Sequence, residues 1–161
     1  MHGAPHDPRL EHSELSRRLA ACKAQADVLA AVRANAREHV GADGIALVLR
    51  EGDLCHYAAE DAIAPLWQGQ RFPISTCISG WSMLHAETVV IEDVYADPRI
   101  PRDAYHPTFV KSLIMTPVGA DTPAAAFGAY WKNMRRFSDS EIGAVRTMAF
   151  LIGEALRGLQ S

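Results

Sequence analysis

The sequence predicts an α+β domain with a mostly antiparallel sheet, on three observations. Ile45–Leu49 and Leu54–Ala59 are apolar runs joined by Glu51-Gly52-Asp53, and Lys111–Val118 and Ala124–Lys132 are joined across G-A-D-T-P, so each pair reads as a hairpin. Helical stripes stand before the first hairpin and after the second, an order that segregates helices from an antiparallel sheet. The 161 residues suit one domain with its own hydrophobic core.

Residues 1–12, with His2, His6 and His12 among Gly, Ala and Pro, read as a flexible polar arm, and residues 13–161 as the domain. Asp7-Pro8 has the chemistry of a helix start. Leu15, Leu19, Cys22, Ala26, Leu29, Val32 and Ala36 then form a narrow, near-heptad seam. Asp27 can cap a second helix, so a kink or break is expected between Gln25 and Val28, and Gly41 stops the helix. Glu60–Gln70 is a loop or short helix with Trp67 folded onto the body. Arg71–Ile74 is a short strand, Ile78–Glu87 a short helix with Ser79 as N-cap, and Thr88–Val94 another strand. Ser138 and Glu141 make a capping box, and Phe137 with Ile142 the hydrophobic staple around it. The last helix carries Ile142, Val145, Ala149, Ile152, Leu156 and Leu159 on one stripe, widened by Met148, Leu151 and Ala155.

Composition narrows the function. Apolar residues are 48% and charged residues 22%, an ordinary globular balance. A net charge of -3 is a poor match for a phosphate backbone, so no nucleic-acid partner is expected. No apolar run reaches the roughly 20 residues that span a bilayer, and the N-terminus has no signal-peptide segment. No membrane partner and a cytoplasmic location are therefore expected. Cys22, Cys55 and Cys77 are odd in number and far apart, and read as reduced thiols rather than a disulfide framework or metal set.

The stretch from Phe72 to Val118 organises the rest. Its core runs Val89–Val94 and Leu113–Val118 fix the ends of a Pro-rich excursion loaded with aromatic and titratable groups. Such a loop is a common pocket wall. Trp81, His85, Tyr95, Tyr105 and His106 each join an apolar face to a polar tip, and are expected to converge on one concavity between the short helix and the Asp97–Phe109 loop. Asp97, Arg99 and Phe109 complete the candidate ligand site. The plainer alternative is that Tyr95, Tyr105 and Phe109 bury their rings and Asp97 pairs locally with Arg99.

From Ala26 to Leu159 the chain resembles a GAF domain. The resemblance rests on A-D-V-L-A-A-V-R-A-N-A-R-E-H-V-G-A-D-G, I-S-G-W-S-M-L-H-A-E-T-V-V-I-E-D-V, K-S-L-I-M-T-P-V, F-G-A-Y-W and R-F-S-D-S-E-I, in that order. The segment D-V-Y-A-D-P-R-I-P-R-D-A-Y-H-P-T-F-V-K-S is similar to GAF domains ahead of bacterial histidine kinases. The resemblance implies a six-stranded antiparallel sheet with terminal helices on one face and a short helix plus long loop covering a pocket on the other. It implies a sensory module and leaves ligand and cofactor unspecified.

Sharper readings lack residues. For cyclic nucleotides, Lys132-Asn133 is inverted against the phosphodiesterase pattern, and Phe137 and Glu141 serve the cap. For bilins, Ile100-Pro101-Arg102-Asp103-Ala104 resembles part of the phytochrome signature, but Arg99 replaces its aspartate and no cysteine lies near Tyr105-His106. For haem, His85, His106 and Cys77 are the candidate axial ligands by position. For the free methionine-sulfoxide reductases, the G-x-x-C-G and H-x-A-C-D motifs are absent, and Cys77 shows no resolving partner. The expectation is a domain without enzymatic activity that binds a small molecule and acts on a histidine kinase or other signalling protein. The Leu15–Ala36 seam and the wide last stripe further predict a homodimer through the terminal helices.

Overall fold

The computed structural model describes residues 14–119 and 122–159, so the histidine-bearing arm and the Asp7-Pro8 helix start lie outside the described residues. Helices α1 (Glu14–Ala20) and α2 (Gln25–Val40) precede β1 (Gly44–Glu51), β2 (Leu54–Ala62) and β3 (Arg71–Pro73). Next come α3 (Ile78–His85), β4 (Val89–Ile91), a 3-10 turn at Val94–Ala96 and the short α4 (Arg102–Tyr105). Strands β5 (Ser112–Val118) and β6 (Ala125–Trp131) and the long α5 (Asp139–Gly158) complete the domain. The six strands form one sheet in the order β3-β2-β1-β6-β5-β4, every pair antiparallel.

The sheet is buried on both faces, which is why its central strands read as unbroken apolar runs. Ile45, Leu47, Ile114, Phe127 and Ala129 point to α1, α2 and α5. Ala46, Val48, Leu113, Met115, Ala126 and Tyr130 point the other way, under α3 and the excursion. Strand β2 changes face midway: Leu47 pairs with Ala59 but Val48 with Tyr57, so Ala58 is an extra residue. That bulge turns Cys55 and Tyr57 toward α3 while Ala59 stays with the helices.

Local chemistry fixes the ends. Gly41 closes α2 in the left-handed region at φ 68. Ser138 Oγ accepts from the Glu141 amide at 3.1 Å and the Glu141 carboxylate from the Ser138 amide at 2.9 Å, the expected capping box. The break between α1 and α2 falls at residues 21–24, earlier than the Asp27 signal implies. The Asp27 carboxylate reaches back to the Lys23 and Ala24 amides at 3.2 and 3.1 Å, so it caps from inside the first turn. The N-cap of α3 is Cys77, not Ser79, because Ser79 turns inward as a buried helical residue.

The terminal seam is used differently from the expectation. Leu15 and Leu19 are 1% and 2% exposed, packed with Val28, Val32 and Ile152 of their own chain. The seam is a helix-on-helix contact, as its period implies, but α2 and α5 supply the facing surface. Met148 and Ala155 are also buried, so neither is spare surface for a second copy.

Candidate functional site

Helix α3 is held down by backbone contact. A Cβ on Gly80 would lie 1.8 Å from the Ile74 carbonyl oxygen, so only glycine lets α3 lie this close to the chain that precedes it. On the outer side, the rings of Trp81 and His85 stack with centroids 3.9 Å apart and planes 16° apart. The His85 Nδ1 contacts the Trp81 carbonyl at 2.9 Å. The Arg99 guanidinium lies over the other part of this stack, 4.5 Å from the Trp81 centroid. Asp97 fixes that guanidinium through two bonds of 3.0 and 2.7 Å. The Arg99 bonds hold the Asp97 carboxyl below the usual carboxylate range. Four predicted residues thus form one layered clamp joining the loop to α3.

The other four predicted residues lie elsewhere. Tyr95 sits between Arg102 and Lys111, 5.9 and 5.2 Å from its ring. His106 is exposed. Phe109 packs into the interior beside Gly44. Tyr105 is buried against Trp67, with ring centroids 4.8 Å apart. The eight residues therefore line two sides of the excursion, and the single concavity expected for five of them does not form.

The inner side of α3 covers a polar cluster that periodicity reads only as core. Trp67 is its centre. Its ring meets Tyr57 at 5.5 Å and Tyr130 at 5.4 Å, and its Nε1 donates to the Ala104 carbonyl at 3.0 Å. The loop carrying Trp67 is pinned by Glu60, whose carboxylate accepts from the Leu66, Trp67 and Gln68 amides at 2.8–2.9 Å. Tyr57 Oη meets Ser79 Oγ at 3.1 Å, and Ser79 Oγ donates to Cys77 Sγ at 3.3 Å. Cys55, carried by the bulged strand, faces the same inner cluster as Cys77, whose thiol donates to the Pro73 carbonyl at 3.6 Å.

Two hydroxyls of this cluster have no protein partner among the described residues. Tyr105 Oη and Tyr130 Oη are both buried and unpaired. Gly128 makes room beside one of them: a Cβ there would lie 2.6 Å from Tyr130 Oη and 2.7 Å from Met115 Cε. Burial pushes the phenols of Tyr57, Tyr105 and Tyr130 above their ordinary range. The neighbouring Cys55 thiol, the Ser79 hydroxyl and the Gly80 amide lower the Cys77 thiol against the effect of its burial, whereas Cys77 and burial raise Cys55. The cluster is rich in hydroxyl groups and walled by aromatic rings.

A separate open groove of about 1220 Å³ lies between α5 and the strand ends, lined in part by Thr88, Val118, Phe150 and Leu156. It contains none of the predicted site residues. Among the described residues no helix is long and apolar enough to cross a membrane.

A sequence profile described as the GAF domain matches residues 22–157. The chain belongs to the GAF family. GAF domains are a sensory and regulatory fold of signalling proteins. The chain is similar to the GAF domain of a phosphoenolpyruvate-protein phosphotransferase from Coxiella burnetii, at 14% identity and TM-score 0.78, covering 91% of this chain and 90% of that one. It is similar to free methionine-R-sulfoxide reductase from Neisseria meningitidis, solved with its substrate, at 18% identity and TM-score 0.75, covering 99% and 96%. A methyl-accepting chemotaxis protein fragment matches at 17% identity and TM-score 0.76, covering 91% and 97%. At these identities the likeness shows the GAF fold alone. A search of curated proteins gives no match.

Proposed function

We propose that this GAF domain is a sensor that binds a small polar molecule beneath α3 and relays its state without turning it over. The observation that carries this reading is the pair of buried, unpartnered hydroxyls on Tyr105 and Tyr130. An unsatisfied buried polar group costs about 1–3 kcal/mol, and two within one aromatic-walled cluster fit a guest that supplies the missing partners. Tyr57 and Ser79 extend the polar wall, and Phe109 lies on the same side. Trp81, His85, Asp97 and Arg99 act from outside, as the clamp that ties the covering loop to α3. Tyr95 and His106 belong to the outer face of that loop. The output partner is a histidine kinase or another signalling protein in the cytoplasm, engaged by the domain as a homodimer. Because Leu15 and Leu19 are buried within their own chain, the dimer contact uses the outer flanks of the terminal helices.

The second reading is an interaction module whose pocket is filled by its own side chains. Trp67, packed among Tyr57, Tyr105 and Tyr130, favours it. The variant Tyr130→Phe separates the two. Without ligand, deleting a partnerless hydroxyl leaves stability unchanged or raised, by up to about 1–3 kcal/mol. In a thermal-shift screen of small polar metabolites, compounds that stabilise the wild type then fail to stabilise the variant. A ligand-free variant that loses more than about 1 kcal/mol has lost an internal partner, and the sensor reading fails.

A further inference from the structure

We propose that a second copy of this chain docks on the outer ridge of α5, the two helices crossing antiparallel about a two-fold axis at Phe150. The crossing rests on the homodimer reading above and gives it a surface and a direction. The large apolar side chains exposed among the described residues are Leu54, Ile63, Leu84, Val90, Met134 and Phe150. Of these only Phe150, at 49%, stands on one of the terminal helices α1, α2 and α5. Arg146 lies four residues before it and Glu154 four residues after, and both are exposed. Residues four apart form one ridge of a helix, so cation, ring and carboxylate follow in line.

The surface beside the ridge is open. Arg146, Phe150 and Glu154 all line the groove of about 1220 Å³ between α5 and the strand ends. Its floor reaches Thr88 and Thr116, whose hydroxyls bond to each other at 2.8 Å, so it can be covered with both partnered. Val90, 38% exposed, continues the apolar surface past that floor. It pairs with Ile114 across β4 and β5 and so shares the helix-bearing face of the sheet.

Charge sets the direction. A two-fold axis running between the helices, across their length at Phe150, brings each residue before the ring on one helix to the residue equally far after it on the other. Arg146 of each copy then faces Glu154 of the other, with the two Phe150 rings at the centre. A parallel pair would set Arg146 against Arg146 and Glu154 against Glu154, and opposed like charges are unfavourable. Glu154 also pairs with Arg157 of its own chain, which holds the carboxylate in place while its remaining lone pairs accept a second cation. Exposed ion pairs add little strength, so the charges choose the orientation and burial of Phe150 supplies the affinity. The contact is small and therefore weak, and the copies separate before either unfolds.

The test measures molar mass of the full chain by light scattering, over a concentration series reaching about 0.5 mM, where weak complexes assemble. The wild type should pass from monomer to dimer. Arg146→Glu opposes carboxylates at both charge contacts and Glu154→Arg opposes guanidinium groups, so each should raise the dissociation constant about tenfold or more. An equal mixture of the two single variants restores both opposite-charge contacts and should recover the dimer. The double reversal Arg146→Glu, Glu154→Arg in one chain should recover it as well. A wild type that stays monomeric throughout would overturn the crossing and the homodimer reading together. Dimers that persist unweakened in both single variants, or a mixture and a double reversal that both fail to recover, would overturn the crossing and leave the homodimer reading standing. Neither result bears on ligand binding beneath α3.

Discussion

Replacing Gly80 with alanine tests how α3 is held over the cluster. Two effects oppose each other. Alanine favours a helix interior over glycine by about 1 kcal/mol, so propensity alone predicts stabilisation. The new Cβ, however, would lie 1.8 Å from the Ile74 oxygen, 2.7 Å from its carbonyl carbon and 2.9 Å from its Cα. These are backbone atoms and cannot swing aside as a side chain does. Ordinary contact requires α3 to move away by about 1.5 Å, which unseats Ile78, Ser79, Ser82 and Met83 from the sheet. Overpacking of this kind costs about 1–3 kcal/mol and more where backbone must shift, so the net is a loss of about 2 kcal/mol. For a domain of this size that lowers Tm by about 4–8 °C. Differential scanning calorimetry of Gly80→Ala against wild type measures it. An unchanged or higher Tm would show that α3 does not rest on the Ile74 backbone, and the geometry assigned to Cys77 and Ser79 would fall with it.

Two further outcomes follow from the packing. Leu19→Ala should cost about 2–5 kcal/mol, with a Tm independent of protein concentration, because Leu19 packs within its own chain; a concentration-dependent Tm with little loss at high concentration would return the seam to a dimer interface. Stability should fall steeply in alkali: Tyr57, Tyr105 and Tyr130 stay neutral when folded, the unfolded phenols ionise near pH 10, and stability present below that pH is lost above it at about 1.4 kcal/mol per tyrosine per pH unit. Spectrophotometric titration should show those phenolates appearing together with unfolding, and a gradual titration in the folded state would contradict their burial.

Where the physics is local, the sequence carries the fold. The Ser138–Glu141 box, Gly41, the Gly52 turn and the two hairpins all depend on neighbours within a few residues, and each stands where the residues indicate. The Leu15–Ala36 period correctly implies helix-on-helix packing, but period says nothing of which chain supplies the other helix. The inner cluster is hidden for three reasons. The Ala58 bulge reverses the alternation of β2, so Cys55 and Tyr57 face α3 while Ala59 does not. Strand β6 is buried throughout, so A-A-F-G-A-Y-W puts Gly128 and Tyr130 on one face but gives no sign of which layer that face meets. Trp67 meets Ala104 across 37 residues, a contact no local pattern encodes. Asp97 and Arg99 do pair locally, and Tyr105 and Phe109 do bury their rings, as the plainer sequence reading has it.

The central claim is that the Tyr105 and Tyr130 hydroxyls receive a polar guest. The mass of the purified domain, taken under native and denaturing conditions, tests it most directly. The account predicts a small-molecule excess in the native spectrum of the wild type, lost on unfolding and absent from the Tyr105→Phe, Tyr130→Phe double variant. Identical native masses after subtracting the two oxygen atoms, with the same adducts or with none, would contradict it.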